Sequence, residues 1–136
     1  MAGKAPNQGA TILIAEDEPA LRNFLQELLQ TAGYQVLTAS NGKEALEVAD
    51  EHTQSIDLLL SDVVMPEMTG VELAKALRRK RPEIRIMLTS AYPQGMMVMD
   101  SNWHFLPKPF LPRRLLEEVA HVLSLPSEQF KPEEHQ

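Results

Sequence analysis

The strongest constraint on this chain is an alternation of two periodicities. Five short runs, at residues 11–15, 34–39, 56–61, 84–89 and 103–106, read as β-strands. Ile12-Leu13-Ile14 and Leu58-Leu59-Leu60 are apolar at every position, as in strands covered on both faces. The run at 34–39 is more mixed and is expected nearer an edge. Between the runs, apolar residues recur at helical spacing. The first helix carries Leu21, Phe24, Leu25, Leu28 and Leu29, with Pro19 at its entrance and Gly33 as its stop. The second starts at Asn41, three residues before Glu44, a capping arrangement that Thr69 and Glu72 repeat for the third. Leu115, Leu116, Val119, Val122 and Leu123 line one face of the last. Residues 94–100, with Met96, Met97 and Met99, hold no more than about two turns at 3.6 residues each.

Strands alternating with helices require right-handed crossovers and a parallel sheet covered on both sides. The expected fold is α/β: a flavodoxin-like (βα)5 doubly wound sheet of five parallel strands, order 2-1-3-4-5, with a shortened or irregular fourth helix. A length of 136 residues suits one domain, placed at 11–124 between flexible segments at 1–10 and 125–136. The absence of cysteine excludes disulfides and thiolate metal sites. A net charge of −6 argues against binding a nucleic-acid backbone. No apolar run approaches the roughly 18 residues that read as a membrane span, and the N-terminal residues lack a signal-peptide core. A cytoplasmic protein with no direct contact to nucleic acid or membrane is expected.

In an open parallel sheet, ligands bind beyond the carboxyl ends of the strands. The first strand ends in Glu16-Asp17-Glu18, the third in Asp62, the fourth in Thr89-Ser90, and the fifth in Lys108 within Leu106-Pro107-Lys108-Pro109-Phe110. These groups are distant in sequence yet share one edge of the sheet. Clustered carboxylates repel unless a cation neutralises them. With no cysteine or histidine at the strand ends, the donors are oxygens, which favours a hard ion such as Mg²⁺. A metal, a lysine, a hydroxyl and a spare carboxylate together suit a phosphoryl group.

Taken singly, each residue has a plainer reading. Glu18 is placed where the helix dipole favours any acid. Asp62 alone is an ordinary turn residue, and Lys108 alone an ordinary solvated surface cation. Only the joint placement argues for chemistry. His52, His104 and His121 have no metal-ligand spacing, His135 sits in the tail, and structural or surface roles suit all four.

Four motifs in order resemble the receiver domains of response regulators. They are Ile14-Ala15-Glu16-Asp17-Glu18-Pro19, the stretch from Leu60 through Asp62-Val63-Val64-Met65-Pro66 to Gly70, Ile86-Met87-Leu88-Thr89-Ser90-Ala91-Tyr92, and Leu106-Pro107-Lys108-Pro109-Phe110. The likeness runs from about residue 11 to 123. It implies a phosphorylation switch of two-component signalling, with Asp62 phosphorylated by a histidine kinase, a histidine phosphotransfer protein or a small phosphodonor. Asp17 would bind Mg²⁺, Glu16 would hold a metal-bound water, and Asp62 and the Val64 carbonyl would complete the ligands. Ser90, favoured over Thr89, would bond the phosphoryl group and Lys108 would pair with it. The Lys108–Pro109 bond is expected to be cis, and Phe105 to change rotamer with phosphorylation. The chain would catalyse its own phosphorylation and slow dephosphorylation without being an enzyme acting on a separate substrate.

Departures from the family pattern sharpen the expectations. Glu16 stands where Asp is commoner, which leaves metal binding intact. Ser90 and Lys108 are 18 positions apart, about one helical turn fewer than is usual in the family. This abbreviation is common in receivers of hybrid histidine kinases. It puts the usual output and dimer surface in doubt, while a weak or phosphorylation-dependent dimer stays open. The three methionines fit better as filler of an irregular core than as a partner groove. Val64 and Tyr92 flank the phosphoryl site with bulk that does not position water, so a long-lived acyl phosphate is expected. Trp103 lies five residues before Lys108, about 16 Å if extended, so little quenching of its fluorescence by Mg²⁺ is expected.

Three other readings compete. A flavodoxin-like cofactor carrier needs a phosphate loop where this chain has three acids. An aspartyl-phosphate hydrolase usually has a second acid where Val64 stands. A degenerate, non-phosphorylated scaffold would not retain Asp17, Asp62, Ser90 and Lys108 together. With no DNA-binding or catalytic output region after Leu125, the signal is expected to leave through protein contact or a separate domain.

Overall fold

The continuous apolar runs become inner strands, and the mixed run becomes an edge. In the computed structural model, which describes residues 9–91 and 103–126, the strands are β1 (Thr11–Ala15), β2 (Gln35–Ala39), β3 (Leu58–Asp62), β4 (Arg85–Ser90) and β5 (His104–Pro107). All pairings are parallel and the order is β2-β1-β3-β4-β5, the flavodoxin-like arrangement expected. Four helices occur among the described residues: α1 (Pro19–Thr31), α2 (Gly42–Glu51), α3 (Gly70–Lys80) and α4 (Pro112–Ser124). The stretch 94–100, with its three methionines, and Tyr92 lie outside the described residues.

Alternation along each inner strand separates two cores. Leu13, Ala15, Leu59, Ile86 and Leu88 point to the side covered by α2 and α3, where Ala45, Ala49, Leu73, Ala74 and Leu77 meet them. Ile12, Ile14, Leu58, Leu60 and Met87 point the other way, onto Leu25 and Leu29 of α1 and Leu115, Val119 and Val122 of α4. Complete burial of a Leu or Ile side chain contributes about 1.5–3 kcal/mol, so both layers are substantial.

The strands other than β1 depart from the apolar runs by one or two residues. β3 begins at Leu58 because Asp57 serves as an acceptor beside the sheet, its carboxylate taking the Thr11 amide at 2.8 Å. It extends to Asp62 because that residue pairs with Thr89. β5 starts after Trp103, which is buried in the α2/α3 layer, and ends at Pro107 opposite Ser90. Backbone pairing, rather than apolarity, sets these limits.

The helix signals behave as their chemistry requires, with one variation. Thr69 Oγ1 accepts from the Glu72 amide at 3.1 Å, and Glu72 Oε1 accepts from the Thr69 amide at 2.9 Å, a closed capping box. Asn41 Oδ1 accepts from the Glu44 amide at 2.7 Å, but the Glu44 carboxylate reaches one residue further back, to the amide and hydroxyl of Ser40. Gly33 ends α1 at φ +105°, where its amide donates to Gln30 O at 3.0 Å and that of Tyr34 to Leu29 O at 3.1 Å. These paired bonds need a left-handed residue that a side chain would strain.

Candidate functional site

At the carboxyl edge of the sheet, β1 lies between β2 and β3, the place where the chain's direction of growth reverses. β1 delivers Glu16 and Asp17, and β3 delivers Asp62 as its last residue. One carboxylate oxygen from each lies within 4.8 Å of the others. Glu16 is only 3% exposed, Asp17 is open to solvent, and Asp62 is between the two. Among the described residues no other acid or histidine group gathers in this way, and His52, His104 and His121 join no ligand cluster. His135 lies outside the described residues.

Lys108 closes the site from the end of β5. Its Nζ is 3.0 Å from Asp62 Oδ2 and 3.3 Å from Glu16 Oε1. The Lys108 amide donates to Ser90 O at 3.0 Å, which ties the turn to β4, and the Lys108–Pro109 bond is cis as expected. Burial pushes the Glu16 carboxyl above its ordinary pKa; the Glu18 amide and the Lys108 charge oppose this, and the Asp62 charge reinforces it. Burial works to lower the Lys108 ammonium. Its hydrogen bond to Asp62 and the charges of Asp62 and Glu16 outweigh that, and the net direction is up. The lysine is therefore held charged between two acids.

The backbone around Asp62 is packed closely. Its Oδ1 accepts from the Val64 amide at 3.2 Å, and the Ser61 hydroxyl donates to its carbonyl at 2.9 Å. The loop that follows is anchored by Val63 N to Thr89 O and by Gly70 N to Val63 O, each 2.8 Å. A Cβ on Gly70 would run into the Asp62 carbonyl oxygen, so only glycine lets α3 start here. Glu67, in the same loop, has φ +71°, an uncommon conformation for a residue with a side chain.

Thr89 and Ser90 are both buried. Alternation along β4 puts Ser90 on the side of Ile86 and Leu88, where Phe105 also packs, and Thr89 on the side of Met87. Val64 is 52% exposed beside the acids.

The donor set suits a small hard cation. All three acids offer carboxylate oxygens, and Mg²⁺ takes such donors at about 2.0–2.1 Å, close enough to draw three of them around one ion.

Two contributors escaped the sequence reading. Gly70 is one, and its signal is a glycine at the first position of a capped helix, where the cap needs none. Arg22 is the other: its Nη1 donates to the Glu16 carbonyl at 2.8 Å. A cation so near a helix N-terminus opposes the helix dipole, which is a hint that it has a partner.

The model of the response regulator receiver domain matches residues 12–120. The chain is 40% identical over 118 residues to the sensor kinase CckA of Brucella abortus, covering 84% of this chain and 12% of that protein. It therefore spans about an eighth of the length of that relative. The receiver domain of hybrid histidine kinase CckA has a similar structure, with TM-score 0.75 and 39% identity over 85% of this chain and all of that one. The response regulator TrrA of Thermotoga maritima, solved in complex with Mg²⁺ and BeF, gives 0.74 and 34%, covering 83% of this chain and 98% of that one.

Proposed function

The chain belongs to the response regulator receiver domain family, and we propose that it is the phosphate-accepting switch of a two-component phosphorelay, with Asp62 as acceptor. The observation that carries this reading is the Lys108 ammonium held between Asp62 and Glu16 at 3.0 and 3.3 Å. A cation there is placed to neutralise charge on a phosphoryl group attached to Asp62.

Glu16, Asp17, Asp62 and the Val64 carbonyl would hold Mg²⁺, by analogy with the TrrA complex. When bound, the ion supplies neutralising charge for the acids and the incoming phosphoryl oxygens. The ionised Asp62 carboxylate attacks phosphorus in line. The P–N bond to a histidine donor, or the P–O bond to a small donor, breaks and its electron pair leaves with the donor. Lys108 stays protonated and stabilises the phosphoryl oxygens. Water later cleaves the acyl phosphate, releasing inorganic phosphate and restoring the carboxylate.

Ser90 is the better hydroxyl for the readout, because it shares its side of β4 with the Phe105 contact across β5. Movement of Ser90 toward the new oxygens would let Phe105 turn inward and bias a two-state surface. The donor is a histidine kinase or histidine phosphotransfer protein. Exposed Val64, two residues after Asp62, offers it an apolar contact next to the acceptor. Val64, exposed and aliphatic, also leaves no group to orient an attacking water, which supports a long-lived phosphoryl group. Val64→Asn is expected to shorten that lifetime, and an unchanged lifetime would remove this element of the proposal.

The direct test is to add Mg²⁺ with acetyl phosphate or beryllofluoride and follow amide resonances of the unchanged protein and of Asp62→Asn. Shifts at Ser90 and Phe105 in the first only are expected. Identical spectra would overturn the switch reading.

A further inference from the structure

We infer that Arg22 is a positioning residue for the metal site, resting on the Mg²⁺-dependent reading above: it fixes the Glu16 peptide and, through it, Asp17. Asp17 is exposed, and among the described residues nothing bonds its carboxylate. A ligand without side-chain support stands where its backbone puts it. The Glu16 carbonyl and the Asp17 amide share one rigid plane. The Arg22 guanidinium, a permanently charged donor, grips that carbonyl at 2.8 Å. The other polar groups of Glu16 are also held: its amide donates to Ala39 O at 3.1 Å, Oε2 accepts from the Glu18 amide at 3.1 Å, and Oε1 faces Lys108 at 3.3 Å. With Arg22 in place, the peptide leading into Asp17 has little freedom left.

The charge of Arg22 makes the inference testable. Its field alone would oppose a divalent cation beside Glu16 and Asp17. It lies within electrostatic reach of Glu44, which holds the amide and hydroxyl of Ser40 in the neighbouring loop. If positioning outweighs repulsion, loss of the donor weakens the metal. If repulsion dominates, its loss strengthens the metal.

Mg²⁺ is titrated calorimetrically into the unchanged protein, Arg22→Met and Arg22→Lys, and thermal unfolding of each is measured without metal. Met keeps an unbranched apolar stem and removes donor and charge. Lys keeps both with a slightly shorter reach. Arg22→Met is expected to weaken Mg²⁺ binding about tenfold or more, the usual effect of losing support behind a ligand, with Arg22→Lys retaining most of the affinity. Equal or tighter binding by Arg22→Met would overturn the inference, as would a lower unfolding temperature with unchanged affinity, which marks a purely structural contact. No Mg²⁺ binding by the unchanged protein would overturn the receiver reading itself, and this inference with it.

Discussion

The two ends of the sheet use charge in opposite ways. At the carboxyl end, three acids and Lys108 face one another. The lysine bridges Glu16 and Asp62, and each of those two carboxylates also takes one backbone amide, Glu16 from Glu18 and Asp62 from Val64. At the amino end two arginines are spent on the backbone, beside the surface pair of Lys80 with Asp50. Arg81 donates to the carbonyls of Ala49 at 2.8 Å, His52 at 2.7 Å and Gln54 at 3.0 Å, stapling the end of α2 to the start of β4. Arg85 donates to Leu125 O at 2.6 Å, where α4 ends. Guanidinium groups at helix C-termini satisfy carbonyls and suit the dipole, which is a structural use of charge. Side chains that meet each other, rather than backbone, leave capacity for chemistry.

The sharpest way to break this contrast is to remove the central cation of each end. Lys108→Met is expected to slow Asp62 phosphorylation from acetyl phosphate about 100-fold or more, the scale of losing a charge that stabilises a transition state. A rate within tenfold of the original would show that Lys108 is merely a structural counter-ion. Arg81→Met is expected to leave phosphorylation and Mg²⁺ affinity unchanged. It should lower unfolding stability by about 2 kcal/mol in urea, since partly buried carbonyls lose charged donors. A phosphorylation defect at equal folded fraction would mean that the amino end is not the passive half.

A smaller effect tests strain at the active end. Glu67 sits at φ +71° in the loop after Asp62. The left-handed conformation costs a residue with a side chain about 1–2 kcal/mol, and part of that relief is lost to the greater unfolded-state entropy of glycine. Glu67→Gly is expected to raise stability by about 0.5–1 kcal/mol, read as a higher urea midpoint. A loss of stability would mean that the Glu67 side chain makes a compensating contact.

The same contrast explains what could be read in the sequence. The carboxyl end was legible because its groups are placed by topology: once β1, β3, β4 and β5 are parallel, Glu16, Asp17, Asp62, Ser90 and Lys108 must share an edge. Caps such as Thr69 with Glu72 were legible because both partners lie within one turn. Contacts of arginines with backbone carbonyls were not. A carbonyl has no sequence signature, so the position of Arg22 hints at a partner without naming the Glu16 carbonyl, and Arg81 gives no sign of its three carbonyls. The starts of β3 and β5 were misplaced for a related reason, since Ile56 and Trp103 are core residues contributed by loops rather than by strands. Glu44 reached Ser40 rather than closing the box on Asn41, a choice between adjacent amides that spacing alone does not make.

The smallest effect expected is a pH dependence at the amino end, at His104, the first residue of β5. Burial lowers its pKa below the ordinary value, the charges of His121 and Arg85 act in the same direction, and Glu118 on α4 opposes them. The folded protein therefore resists a proton that the unfolded chain accepts. Stability contributed by the neutral imidazole is fully present above an ordinary histidine pKa of about 6.5, declines as the pH falls below it, and is lost once the pH passes the folded value. Carboxylates also titrate as the pH falls, so the informative quantity is a difference between two proteins. His104→Gln keeps a polar group at this position but has no proton to gain. Urea unfolding of both between pH 7.5 and 5 should show the gap in stability moving in favour of His104→Gln as the pH drops. A gap constant with pH would remove His104 from the charge balance of this end. Movement the other way would mean that Glu118 outweighs burial, and that His104 is held as a cation against an acid, as Lys108 is at the carboxyl end.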